Sequence, residues 1–151
     1  MNKDYSLMIE QLKGFAEEDP WFIPLLSNAS SLIYHTLSEL NWAGFYLMNN
    51  GRLVLGPFQG RPACIHIAVG KGVCGTAVKE DRTLLVPDVH QFPGHIACDN
   101  ASASEIVVPL HKEGKIVGVL DIDSPVKNRF TEDDRAGLEA FAALLEKVLV
   151  F

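Results

Sequence analysis

Helical periodicity occupies the two ends of this chain and strand-like patterning its middle, and that segregation restricts the architectures open to it more than any other feature. From Asp4 to Glu18 the apolar residues Tyr5, Met8, Ile9, Leu12, Phe15 and Ala16 recur at helical spacing. The period resumes from Leu25 to Leu40 behind Pro24, a residue suited to the first turn of a helix rather than its interior. At Asn41 the pattern changes. Trp42 to Met48 and Arg52 to Phe58 read as strands about an Asn49-Asn50-Gly51 turn. Cys64 to Val69 reads as a third strand with Cys64, His66 and Ala68 on one face. A glycine-rich segment and a short helical stretch lead to Glu80, followed by a small strand at Leu84 to Val86. Ile106 to Leu110 and Ile116 to Ile122 form arms about a Lys112 to Lys115 turn. Thr131 to Val150 closes the chain as a helix with an apolar stripe through Leu138, Phe141, Ala142 and Leu145, capped by Thr131 with Asp134 three residues on. Hairpin-joined strands between terminal helices give an α+β architecture, an antiparallel sheet with helices packed on one side.

A chain of 151 residues is long enough for one domain with a continuous core. Thirteen basic against 19 acidic residues, a net charge of −6, leave no basic stripe to follow a phosphate backbone, so nucleic acid is not an expected partner. The N-terminal residues lack the apolar core of a secretory signal, and no stretch reaches the roughly 20 apolar residues of a membrane span. A cytoplasmic location is the resulting expectation. In that reducing compartment three cysteines, odd in number, are either buried bystanders or chemistry.

The longest aperiodic segment, Asp88 to Ser104, carries Cys98 among Pro, Gly, His, Asp, Asn and Ser, and long irregular loops are usually functional. Asp121 and Asp123 share one face of the last strand. If the hairpin pairs His111 with Lys115, Glu105 lies opposite Asp121 and all three carboxylates face the same way; a slip of one residue would turn Glu105 to the other side. Solvated charges at strand ends are the plainer reading. The apolar runs Ile106 to Leu110 and Val117 to Leu120 beside them argue instead for partly desolvated acids with raised pKa values, able to donate a proton. A cysteine thiolate beside such an acid can attack an oxidised sulfur and emerge as a sulfenic acid, which a second cysteine converts to a disulfide. Trp42 and Tyr46, four apart on one strand face, suit either the core or an apolar wall for a thioether. Gly70-Lys71-Gly72-Val73-Cys74-Gly75 matches Gly-x-Gly-x-x-Gly but lacks the βαβ context of dinucleotide binding, so it reads as a turn. Cys64, His66, Cys74, His90, His95 and Cys98 have no compact zinc-module spacing, and no metal is expected.

Taken in order, Trp42 to Tyr46, Gly56 to Gly60, Cys64, Gly70 to Gly75, Pro87-Asp88-Val89, Gly94 to Pro109 and Gly118 to Ser124 resemble the free methionine-(R)-sulfoxide reductases, a catalytic GAF-domain family, over nearly the whole chain. The resemblance implies a single GAF domain over residues 1–151, with a six-stranded antiparallel sheet, the N- and C-terminal helices on one side and a pocket on the other. It implies Cys98 as the attacking thiol, Cys64 as the main resolving partner and Cys74 as an accessory or alternative one. Glu105, Asp121 and Asp123 would bind the substrate's polar end and polarise the sulfoxide, Trp42 would receive the methyl group, and Tyr46 would extend the wall. The implied activity is reduction of free L-methionine-(R)-S-oxide through an intramolecular disulfide recycled by thioredoxin, with no cofactor; the fold is also compatible with a homodimer through its terminal helices. The alternative is a GAF sensory module that binds a small ligand without chemistry.

Overall fold

The computed structural model describes residues 2–96 and 98–151; Ala97, within the aperiodic loop, lies outside the described residues. Helices α1 (Lys3–Glu18) and α2 (Phe22–Thr36) precede strands β1 (Trp42–Asn49), β2 (Arg52–Gly60) and β3 (His66–Ala68). Helix α3 (Gly72–Glu80), strands β4 (Leu84–Val86), β5 (Ser104–Lys112) and β6 (Lys115–Ser124), and helix α4 (Glu132–Val148) follow. The sheet has six strands in the order β3-β2-β1-β6-β5-β4, every neighbouring pair antiparallel. The expected α+β architecture is thus the observed one.

Strand alternation sorts the sheet into two faces. Ala43, Phe45, Ile106, Val108, Leu110, Leu120 and Ile122 pack against the buried stripes of α1, α2 and α4. On the opposite face Trp42, Tyr46, Val107 and Val119 join Val73, Cys74 and Ala77 of α3. On the helical face the buried strand side chains are apolar apart from the Ser104–Ser124 pair at the strand ends, whereas the other face carries the acids Glu105 and Asp121. Asn2 caps α1 by accepting from the backbone N–H groups of Asp4 and Tyr5. The expected Thr131/Asp134 cap of α4 is a reciprocal capping box, and Asp134 also accepts a 2.6 Å bond from the Tyr5 hydroxyl, joining α4 to α1.

Three local expectations change. The second helix ends at Thr36 rather than Leu40, because Glu39 adopts a positive φ of 59° in the turn toward β1. The third strand begins at His66, not Cys64: the Cys64 carbonyl accepts from the Tyr46 hydroxyl at 2.9 Å instead of joining a ladder. The β5–β6 hairpin pairs Lys112 with Lys115 across a two-residue Glu113-Gly114 turn, both residues at positive φ, and Val117 is an extra residue on β6. Glu105 consequently faces Asp123, not Asp121. Each departure shifts the register by one, and together they shift it by two, so the three carboxylates still share a face.

Candidate active site

Seven of the eight residues singled out from sequence line one cavity between α3, the sheet and the loop before β5: Trp42, Tyr46, Cys74, Cys98, Glu105, Asp121 and Asp123. The eighth, Cys64, is bonded to one of them. Cys64 and Cys98, 34 residues apart in sequence, form a disulfide with their Cα atoms 5.5 Å apart. Cys74 is a free, buried thiol.

The aromatic wall is built by strand geometry. Trp42 and Tyr46 stack with ring centroids 5.8 Å apart, and Phe58 stacks on the far side of Trp42 at 5.1 Å. Gly44 stands between the two aromatics because a side chain there would run into the Cβ of Phe58. Both aromatic heads bond the segment that carries Cys64: Trp42 Nε1 donates to the Arg61 carbonyl at 3.2 Å and Tyr46 Oη to the Cys64 carbonyl. Burial, then the Asp121 charge, raises the Tyr46 pKa, so its hydroxyl stays neutral and keeps donating.

The carboxylates form the opposite wall. Glu105 and Asp121 are each 6% exposed, and Oδ1 of both Asp121 and Asp123 is buried without a hydrogen-bond partner among the described residues. Burial first, and the charge of Asp121 second, push both the Glu105 and the Asp123 carboxyl well above the ordinary range. Burial also raises Asp121, but bonds from Glu105, Cys74 and Asp123 oppose the rise. All three acids are thus raised, Asp121 less than its two neighbours, so the cluster favours keeping its protons on Glu105 and Asp123. Burial, then the Asp121 and Glu105 charges, pushes the Cys74 thiol up, leaving it a neutral donor.

A raised-pKa acid is suited to donate a proton, and Trp42, Cys98 and the acids line the same cavity, so a sulfur held there would have both a thiol and an acid among its surroundings. At the other end α3 begins on the cavity, where Lys71, Gly72 and Val73 line it. First-turn N–H groups have no partner within their own helix, so this end favours a carboxylate. The Gly-x-Gly-x-x-Gly segment has Gly70 and Gly72 at positive φ, and a side chain at Gly75 would strike the Ala68 carbonyl. It is the tight turn expected from sequence, and its glycines bring α3 close to the pocket.

Sequence reasoning missed the cavity residues Asp99 and Ser102, and considered His95 only as a metal ligand. They fall in the aperiodic loop, where no spacing rule ranks one polar residue above another. Burial lowers the His95 pKa, favouring the neutral ring. The histidine and cysteine set weighed for a metal does not assemble: among the described residues the grouping near enough to hold an ion is Cys74, Glu105 and Asp121, with ligand atoms within 4.8 Å of one another. No described helix is long and apolar enough to cross a membrane.

The chain matches the GAF domain family over residues 23–149. It is 57% identical over 128 residues to the free methionine-R-sulfoxide reductase of Escherichia coli, covering 85% of this chain and 78% of the relative. Its identity to the Saccharomyces cerevisiae enzyme of that name is 46%, covering 95% of this chain and 87% of the relative. The Staphylococcus aureus fRMsr, solved in complex with its substrate, superposes with a TM-score of 0.92 at 52% identity, covering 99% of this chain and 98% of that one. By domain match, full-length sequence identity and superposition alike, the chain belongs to the GAF-domain family of free methionine-R-sulfoxide reductases.

Proposed function

We propose that the protein reduces free L-methionine-(R)-S-oxide to methionine, with Cys98 as nucleophile. The observation that carries this reading is the Cys64–Cys98 disulfide beside a cavity walled by buried acids on one side and Trp42 on the other. The Cys98 thiolate attacks the sulfoxide sulfur while an acid of the cluster protonates the oxygen. That oxygen passes to Cys98 as a sulfenic acid, and the thioether leaves as methionine. The Cys64 thiol then displaces the sulfenic oxygen as water, forming the disulfide, which a dithiol such as thioredoxin reduces by exchange. No cofactor enters this cycle. Steady turnover requires a compartment that supplies dithiols, which favours the cytoplasm.

Polarity within the cavity supports a free amino acid as substrate. Its ammonium would meet the Asp121 side, its carboxylate the start of α3, and its methyl group Trp42 and Tyr46. A methionine within a peptide has neither charge and would leave buried partners unsatisfied. Cys74, its thiol held neutral by burial and within 4.8 Å of the Glu105 and Asp121 carboxyl oxygens, acts as an accessory to the acid cluster.

The test is incubation with each methionine sulfoxide epimer, free and peptide-bound, with dithiothreitol as electron source. Reduction confined to the free R-epimer is expected. Cys98→Ser should abolish it, and Cys64→Ser should leave one round per enzyme with slow recycling. Multiple turnover by Cys98→Ser at the rate of the unaltered protein would overturn the assignment. A ligand that binds without any loss of free thiols would indicate a sensory module instead.

A further inference from the structure

The loop that carries Cys98 is anchored unequally on its two sides. Val89 N–H ties the start of the loop to the Ala103 carbonyl, but from Phe92 to Cys98 the backbone bonds among the described residues are local, His95 N–H to the Phe92 carbonyl and Cys98 N–H to the Ile96 carbonyl. After it the chain is fastened to the sheet at several points. Asn41 Nδ2 donates to Asp99 Oδ2 and to Ser102 Oγ, both at 3.0 Å, and Ser102 Oγ donates to Asp123 Oδ2 at 2.7 Å. The backbone N–H of Asn41 donates to the Asp123 carbonyl, and that of Ala103 to the Ser124 carbonyl.

Direction in this chain is fixed by donor and acceptor chemistry. Turning the Asn41 amide over would set its oxygen against the Asp99 carboxylate, so the NH2 faces Asp99 and Ser102. With Ser102 Oγ accepting from Asn41, its own proton is directed to Asp123 Oδ2. Ser102 is 5% exposed, so water has little access to redirect that proton.

We infer that Asn41 and Ser102 are positioning residues for the proposed reduction: the donor chain from Asn41 through Ser102 fixes Asp123 Oδ2 as an acceptor and leaves Oδ1 as the oxygen of Asp123 that exchanges with the ligand. The same chain holds the segment after Cys98 at a set distance from the acid cluster. The inference rests on the functional reading given above. Asp123 shares the cavity with Glu105 on β5, Asp121 on its own strand, Lys71 and Cys74 at α3, and His95 and Asp99 in the loop. Of the hydroxyl and amide donors among its bonded neighbours, Ser102 is the one aimed at its carboxyl oxygen.

The test is the pH profile of kcat/KM for a single turnover of the fully reduced protein with the free R-sulfoxide. Removing a donor from a carboxyl oxygen destabilises the ionised form, so Ser102→Ala should move the Asp123-governed limb about one pH unit higher. Ser102→Thr keeps the hydroxyl and adds a methyl to a buried position. It should retain the limb of the unaltered protein, where a role in packing alone would make it the worse variant. Asn41→Leu keeps the branched shape, frees the Ser102 proton to turn away, and should shift the limb in the same direction as Ser102→Ala. An unmoved limb in Ser102→Ala, or Ser102→Thr matching Ser102→Ala, would overturn the inference. If Ser102→Ala does not fold, an unmoved limb in Asn41→Leu would do so. The unaltered protein is run first: absence of reduction there ends the functional reading, whereas reduction with unmoved limbs ends only this inference.

Discussion

Exchanging Glu105 for glutamine should stabilise the protein increasingly as pH rises, at the expense of its chemistry. Burial and the neighbouring Asp121 charge hold the Glu105 carboxyl well above its ordinary value of 4.5. An acid whose pKa rises on folding keeps its proton longer in the folded than in the unfolded chain. The stability it contributes is fully present below 4.5 and is lost as pH climbs toward the folded pKa, at about 1.4 kcal/mol per pH unit. Glutamine keeps the shape and an N–H donor for Asp121 but cannot ionise. The difference in unfolding free energy, variant minus unaltered protein, should therefore climb by about 1.4 kcal/mol per pH unit through that window. The measurement is urea unfolding of both proteins from pH 5 to 8 with the disulfide reduced in each. Groups remote from position 105, such as His111, cancel to first order in the difference. Activity should fall by about 10² to 10⁴, the usual worth of a positioned general acid. Parallel stability curves would refute the reasoning, because a carboxyl that titrates alike in both states is not held protonated by its surroundings.

Trp42→Ala strips the stacking partner from both Tyr46 and Phe58 and should cost about 3 to 5 kcal/mol in urea unfolding. Its KM for the free sulfoxide should rise more than its kcat falls, while Trp42→Phe should keep most of both. His111 lies far from the cavity, bonded through Nε2 to Asp81 at 2.6 Å and through Nδ1 to Glu146 at 2.7 Å. The Asp81 bond, followed by that to Glu146, raises its pKa above 6.5, so its contribution is full below 6.5 and is lost as pH rises through the folded value. His111→Gln should flatten the pH dependence of the melting temperature in that range and leave sulfoxide reduction unchanged.

The architecture was legible because periodicity reports which face is buried, and here one face of the sheet is apolar through the middle of its long strands. Phe45, Ile106, Leu120 and Ile122 could be assigned to the helix side from alternation alone. The same alternation placed Glu105, Asp121 and Asp123 together on the other side. Cys64 was harder: its carbonyl is claimed by the hydroxyl of Tyr46, 18 residues earlier, and a side chain's reach across the sheet leaves no mark on local pattern. Asn41 was legible only as the entrance to β1, and Ser102 only as one polar residue of a loop, since their bonds join segments about 60 residues apart. A network of single hydrogen bonds has no period. Its members are known only once the chain is folded.

Register is the remaining case, and it bears a test of its own. The two-residue turn and the extra residue Val117 each shift β5 against β6 by one, and the side on which Glu105 lies depends on both. Deleting Val117 removes the extra residue while leaving Leu110 opposite Gly118 and Glu105 opposite Asp123, so the cavity wall should survive. The lost partial burial of one valine should cost about 1 to 2 kcal/mol. Deleting Val108 also removes one valine, but from the middle of β5, where no extra residue absorbs the change. That deletion must turn Glu105 toward the helices and Ile106 toward the cavity, or force a new bulge among buried residues. An unpaired carboxyl among Phe45, Ile122 and their neighbours is costly enough that this variant should fail to fold or fold without reducing sulfoxide. Circular dichroism and the free R-sulfoxide assay on the pair decide the matter. Equal activity in the two deletions, or activity in the Val108 deletion alone, would mean that strand parity does not determine where the acids of this site point.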